Sequence, residues 1–220
     1  MLENFNWGDI DPGTKEYSIN EIYEVKAYSK VFDVEEGDVV VDMGASCGIF
    51  SYSILDNNPS FIYLIEPISD QIDLIEKNLG YYPHKCVRGV ITEKKKVDPI
   101  GWGSFYEENI PTYYFEEFLE HCSIDKIDFL KIDIEGEEYD IFKESLIPYL
   151  LRVPKIVCEF HLWKESIHNC KFRFFRDNIL KHFPNFHVYS LDGVDVKWDL
   201  WNEHFLEYYR EVIFHFDNRI

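Results

Sequence analysis

Short apolar runs alternate with amphipathic stretches along most of this 220-residue chain. That alternation predicts a parallel sheet whose strands are joined by crossover helices. Val39-Val40-Val41 is a β-branched run without polar interruption, which predicts a strand buried on both faces. Ile49 to Leu55 reads as the helix that follows it. Phe61 to Ile65 predicts a second strand, closed by Glu66-Pro67. The next helix takes Ser69 or Asp70 as its cap, places Ile72, Ile75 and Leu79 on one face, and ends at Gly80. Further strands are expected at Cys86 to Ile91, Ile127 to Ile134, Pro154 to Phe160, Phe186 to Leu191 and Glu211 to Phe216. Further helices are expected at Thr112 to His121, Glu137 to Leu150 and roughly Lys164 to Phe183, with an irregular stretch from Asp98 to Phe105. Near the start, Ser18-Ile19-Asn20-Glu21 is a capping box that announces a first helix, with Ile22 and Val25 opening its apolar stripe.

The length suits one compact domain. The pattern divides it into an N-terminal helical cap (1–35), a central core (36–161) and a C-terminal segment of strands and aromatics (162–220). Neither internal repeats nor a low-complexity linker interrupts it.

Charge narrows the partners. The 41 acidic residues exceed the 22 basic ones, for a net charge of −19. Nucleic-acid binders need a positive footprint, so this balance argues against a polyanionic substrate and against an anionic membrane surface. A small neutral or cationic acceptor suits it better. The five cysteines are scattered and odd in number, as in a reduced compartment. The first residues, MLENFNWGDI, resemble no signal peptide, and no stretch reaches the ~18 apolar residues of a membrane span. A cytoplasmic location is expected.

Four constellations carry candidate chemistry. In VVVDMGASCG, a buried strand ends in Asp42 and a turn with Gly44 and Gly48 that opens a helix, where free N–H groups are expected. Position 46 is Ser, where a dinucleotide-binding turn would carry Gly, so a pyrophosphate is poorly served. The aspartate suits a ligand with an ammonium group. Glu66 ends the next strand, 24 residues after Asp42, where an acidic side chain can hold ribose hydroxyls. In KIDIEG, strand periodicity puts Lys131, Asp133 and Glu135 on one face. Buried charge without a partner is costly, so Lys131 is the expected partner of a carboxylate, and Asp133 can hold a substrate hydroxyl, act as a base or bind a metal. Finally, Glu159 and His161 share a face of the fifth strand. His161 can serve as a neutral general base or, with Asp133 and Glu159, ligate a divalent ion.

The strings VVVDMGASCGIFSYSIL, IEP with a helix ending in EKNL, DFLKIDIEGEEYDIFK and VCEFH together resemble the FkbM methyltransferases, within the class I S-adenosylmethionine-dependent group. The resemblance runs from about Glu36 to His161. It implies an α/β Rossmann-like fold with a seven-stranded, mostly parallel sheet, its last strand antiparallel. It also implies S-adenosyl-L-methionine as cofactor, with Asp42, Gly44 and Gly48 around the methionine moiety, Ala45 and Ser46 of the same turn also cofactor-binding, Glu66 on the ribose, and adenine near Gly89 to Ile91. The implied activity is O-methylation, often of a sugar or natural-product hydroxyl. Asp133 with His161 is then the expected pair for proton acceptance or orientation, with Glu135 second and Lys131 as internal partner. For the acceptor, a saccharide or glycan is favoured, and Trp102, Phe105, Trp198 and Trp201 could stack on sugar faces. The alternatives are a methyltransferase for a non-sugar small molecule and a non-catalytic S-adenosylmethionine-binding module. A nicotinamide-dependent oxidoreductase fits less well, because of Ser46 and the KIDIEG strand.

Overall fold

The computed structural model describes residues 2–98, 100–102, 105–162 and 167–219, with backbone alone for 101, 102, 105, 106 and 167. The chain opens with α1 (Pro12–Ile19), a wide helical turn at Asn20–Val25, β1 (Val39–Met43) and α2 (Ile49–Ser53). It continues through β2 (Phe61–Glu66), α3 (Ser69–Leu79), β3 (His84–Arg88), β4 (Val90–Ile91), β5 (Ile100–Trp102), β6 (Phe105–Glu107) and β7 (Thr112–Tyr113). Then come α4 (Phe115–Cys122), β8 (Phe129–Ile132), α5 (Ile147–Leu150), β9 (Lys155–His161), α6 (Ile167–Phe174), β10 (Phe186–Ser190), α7 (Phe205–Tyr208) and β11 (Glu211–Asp217).

The main sheet has seven strands in the order β10-β11-β9-β8-β1-β2-β3. The last strand, β11, runs antiparallel to both β9 and β10, and the other pairings are parallel. This is the α/β sheet that the alternating pattern predicted, in the Rossmann-like, seven-stranded form that the family resemblance implied. The chain winds outward from β1 to β3, then crosses to β8 on the other side of β1. A crevice opens at such a reversal, at the carboxyl ends of β1 and β8. No helix among the described residues is long and apolar enough to cross a membrane.

Burial explains the strands. Val40, Val41 and Met43 of β1 and Phe129, Leu130 and Ile132 of β8 are sealed from solvent. Many of the aromatic residues are core. Phe160 of β9 stacks on Phe175 at 4.3 Å, and Phe142, Phe172, Phe183, Phe214 and Phe216 pack around them.

Several boundaries differ from the sequence reading. The first helix begins at Asp11, whose carboxylate accepts from the amides of Gly13 and Thr14 ahead of Pro12, so Ser18 lies inside it. Neither Ser69 nor Asp70 caps α3: the N-cap is Ile68, and the Ser69 amide donates to Glu107. β3 stops at Arg88 because the next residues pair elsewhere, Val90 and Ile91 with Thr112 and Tyr113. That pairing also keeps Thr112 and Tyr113 out of α4. The stretch from Asp98 holds the hairpin β5–β6. Glu137 to Leu150 is not one helix. The Thr92 hydroxyl within donating reach of Glu137 and Asp140, the Gly136 amide donating to Glu138, and the Glu138–His161 pair fix a 3-10 turn at Glu138–Asp140 and override the helical periodicity. The expected start of the long helix at Lys164 lies outside the described residues.

Candidate active site

The carboxyl ends of β1, β2, β8 and β9 surround a cavity of about 760 Å³, within the size range of small-molecule and cofactor sites. Gly44, Ala45 and Ser46 line one side, with Glu66, Ile68 and the run Gly89 to Ile91. Lys131, Asp133, Glu135, Glu159 and His161 line another, and Tyr17, Glu21 and Tyr28 reach in from the N-terminal segment.

The turn after β1 is held by contacts within the protein. The amides of Gly44 and Ala45 donate to the Ile65 carbonyl, that of Gly48 to the Ala45 carbonyl, and that of Ser46 to Glu66 Oε2 at 2.8 Å. The amides of Gly44, Ala45, Ser46 and Gly48 are therefore spent within the turn, while α2 itself has no side-chain cap. Gly44 sits at φ +75°, and a Cβ there would stand 1.7 Å from the Asp133 carbonyl oxygen. Only glycine lets the β1 turn approach the end of β8 this closely.

Asp42 and Gly48 lie behind the wall. Asp42 is fully buried, accepts a hydrogen bond from the Ser51 hydroxyl at 2.7 Å and stands 3.2 Å from the Lys131 ammonium. It anchors Lys131 and offers no surface to a ligand's ammonium group. Gly48 packs against Ile75 of α3. Both positions shape the turn from outside the cavity.

Glu66 is 4% exposed, and its two oxygens accept from the amides of Ser46 and Ile68. Burial pushes its pKa up to about 8, against those two bonds. It faces the cavity near Gly89, Val90 and Ile91, so the residues matched to ribose and adenine line one continuous space.

The acidic end is built differently from the sequence expectation. β8 ends at Ile132, so Asp133 and Glu135 do not continue a strand face, and Glu135 adopts φ +55°. The Lys131 ammonium donates to the Gly44 carbonyl at 2.7 Å and lies 3.5 Å from Asp133 Oδ2. Burial opposes its charge, but Asp42, Asp133 and Glu21 outweigh it and hold the ammonium above the ordinary lysine range. Lys131 is thus a fixed cation that ties β1, β8 and the turn together.

His161 is buried, and its Nδ1 lies 2.7 Å from Oε1 of the fully buried Glu138. Its Nε2 is 3.4 Å from Glu135 and 3.9 Å from Glu159. Burial disfavours the imidazolium, yet the bond and charge of Glu138, with Glu159 and Asp133, push its pKa up to about 11. The neutral general base expected from the sequence is therefore not what the carboxylates around His161 favour. They favour a charged donor.

Tyr28 joins the cluster from the opposite side. Its phenol lies 2.9 Å from Glu159 Oε2, 3.0 Å from Asp133 Oδ2 and 3.3 Å from Glu21 Oε1. Burial first, and Asp133 next, raise Glu21 to about 7. Burial, Asp133 and Glu21 raise Glu159 well above its ordinary range. Asp133, Glu159 and His161 do come together: one donor atom from each falls within 4.8 Å of the others.

Sequence reasoning missed Tyr17, Glu21, Tyr28 and Glu138. Tyr17 and Tyr28 carry no motif, and in the sequence Glu21 reads only as the closing residue of the capping box. Glu138 sits inside the EGEEYD string, but a helical reading disguised its inward turn. Trp198 and Trp201 are 89% and 59% exposed and lie outside the cavity wall. The Trp102 and Phe105 side chains lie outside the described residues.

The family profile described as "Methyltransferase FkbM domain" matches residues 45–187. The chain belongs to the FkbM methyltransferase family. It is accordingly an S-adenosylmethionine-dependent methyltransferase in general type. No curated protein matches it in sequence. Among solved structures, Aeropyrum pernix fibrillarin with natively bound S-adenosyl-L-methionine is 12% identical, with a TM-score of 0.52, over 89% of this chain and 76% of that one. A chain from the complex of the Haloferax volcanii Trm112 methyltransferase activator is 13% identical, with a TM-score of 0.52, over 94% of this chain and 92% of that one. At these identities the likeness is one of fold. In this FkbM methyltransferase, Asp133, Glu135, Glu138, Glu159 and His161 fall inside the matched span. Tyr17, Glu21, Tyr28 and Glu211, which also line the cavity, fall outside it.

The residues present fit the family's cofactor. The amides of Gly44, Ala45, Ser46 and Gly48 are already satisfied, which suits a nucleoside without phosphates. Glu66 is a buried acceptor for a vicinal diol, and the acidic end suits a sulfonium.

Proposed function

We propose that this chain methylates a hydroxyl oxygen of a small-molecule or glycan acceptor, with a saccharide as the favoured class. The observation that carries the reading is a single cavity lined both by Glu66 and by Asp133 with its fixed partners. In this reading Glu66 takes the ribose hydroxyls, the turn Gly44-Ala45-Ser46 borders the methionine moiety, and Ile91 with its neighbours borders adenine.

When bound, S-adenosylmethionine supplies an electrophilic methyl group; its C–S bond breaks as the O–C bond forms, leaving S-adenosylhomocysteine. The hydroxyl proton must go to a base. Asp133 takes it. Tyr28 donates to its Oδ2 and Lys131 stands 3.5 Å away, which orients the carboxylate. His161, kept charged by Glu138, donates toward the acceptor and positions it. Glu21, Glu135, Glu159 and Glu211 line the same cavity as acceptors for further hydroxyls, and Tyr17 offers an aromatic face. A polyhydroxylated acceptor satisfies more of these groups than an apolar one.

The direct test is incubation with methyl-labelled S-adenosylmethionine and a panel of mono- and disaccharides, with non-sugar alcohols and amines alongside. Label in a saccharide ether is expected. Transfer confined to amines would overturn the hydroxyl assignment.

A further inference from the structure

Among the described residues, carboxyl groups crowd the acidic end of the cavity. Glu21, Asp133, Glu135, Glu159 and Glu211 line it. Lys131 is committed to Asp42, Asp133 and the Gly44 carbonyl, and His161 to Glu138. Tyr28 has one hydroxyl proton within reach of three carboxylates. Crowded carboxyl groups of this kind hold a proton or a bound cation.

The donor types are specific. Asp133 and Glu159 present oxygen and His161 presents nitrogen, with the three atoms inside 4.8 Å of one another. A divalent ion roughly 2.1 Å from each ligand places its donors about 3–4 Å apart, and His161 Nε2 already stands 3.9 Å from Glu159 Oε1. The ring is also prepared from behind. Glu138, with no exposure, holds Nδ1 at 2.7 Å, so Nε2 is the atom turned toward the carboxylates. A carboxylate behind a histidine is the usual support of a metal ligand, since it fixes the tautomer and the ring. Tyr28 does the same for Glu159 and Asp133.

We propose that Asp133, Glu159 and His161 bind one divalent metal ion of the Mn²⁺ type, with Glu138 and Tyr28 as outer supports. Mixed carboxylate and imidazole donors fit such an ion. The ion displaces the imidazolium proton, so in the loaded site His161 ligates in place of donating to the acceptor, and three protein ligands leave positions open for an acceptor oxygen. On the function proposed above, Asp133 gives one oxygen to the ion and keeps the other for the acceptor proton, which the ion makes easier to remove.

The test is titration of the full chain with Mn²⁺, followed by the electron paramagnetic resonance of the free ion. One bound ion per chain is expected, with spin-echo modulation from a directly bonded nitrogen. Glu159→Gln and His161→Gln should weaken binding at least tenfold, and Glu138→Gln about tenfold to a hundredfold. S-adenosylhomocysteine binding, unchanged in each variant, shows that the fold is intact. Should a variant not fold, the nitrogen modulation of the wild type decides. Absence of bound Mn²⁺, or bound Mn²⁺ without nitrogen coupling, overturns the site. Methyl transfer to a hydroxyl that persists in excess chelator, with no Mn²⁺ bound, removes the ion and leaves the proposed function standing. Bound Mn²⁺ with nitrogen coupling but transfer only to amines does the reverse.

Discussion

Glu138 Oε1 lies 2.7 Å from His161 Nδ1, with both side chains sealed from solvent. The pair joins the 3-10 turn after β8 to the end of β9, and it sets which face of the imidazole meets the cavity. Glu138→Gln leaves the ring without its counter-charge. In metal-free buffer the expected loss is about 3 kcal/mol, the low end for a broken buried pair, because the imidazole can shed its proton. Urea unfolding measures it, and an unchanged midpoint would mean that the pair contributes nothing to stability.

Gly44→Ala tests the closest approach in the site. Its Cβ would stand 1.7 Å from the Asp133 carbonyl oxygen, at a φ of +75° that side chains rarely adopt. Shifting β8 away would also move Asp133 and Lys131. The variant is expected to lose cofactor binding together with at least several degrees of Tm. A variant as stable as the parent would contradict the geometry.

The strands were legible because burial leaves a plain trace: Val40-Val41 and Phe129-Leu130 are sealed from solvent on both faces of the sheet. Gly44, Glu66 and Asp133 stand at strand ends beside turns, and that made their place on the cavity wall legible. Asp42 was misplaced because a strand-ending carboxylate looks the same in sequence whether it faces a ligand or, as here, Lys131 and Ser51. The protonation of His161 depends on Glu138, 23 residues away and turned inward by contacts that no local pattern records. Tyr28 is 131 residues from Glu159, so only the folded chain shows their bond.

His215 gives the expected acid response. It is buried on β11 beside Phe32 at 5.5 Å, and burial lowers its pKa from 6.5 to about 3. A depressed folded-state pKa favours the native state above the unfolded value. That contribution is therefore complete above about pH 6.5 and is lost as pH falls toward 3, at up to roughly 1.4 kcal/mol per pH unit. His215→Phe should flatten the stability profile between pH 6 and pH 4, read by denaturant titration at each pH relative to the parent. Parallel profiles would refute the assignment.

Asp133→Asn separates chemistry from binding. General-base catalysis is typically worth about 10²–10⁴ in rate, so turnover should fall at least a hundredfold. Affinity for S-adenosylhomocysteine should stay within a few-fold, since Glu66 and the turn are untouched. Undiminished turnover would remove Asp133 from proton acceptance.

The most direct test of the site as a whole is calorimetric titration of S-adenosylhomocysteine into the wild type and Glu66→Ala. The expected result is one molecule bound per chain with micromolar affinity, weakened at least tenfold in the variant. Equal affinity in both would take Glu66 out of the ribose position, and no binding to the wild type would contradict a cofactor site around Gly44, Glu66 and Asp133.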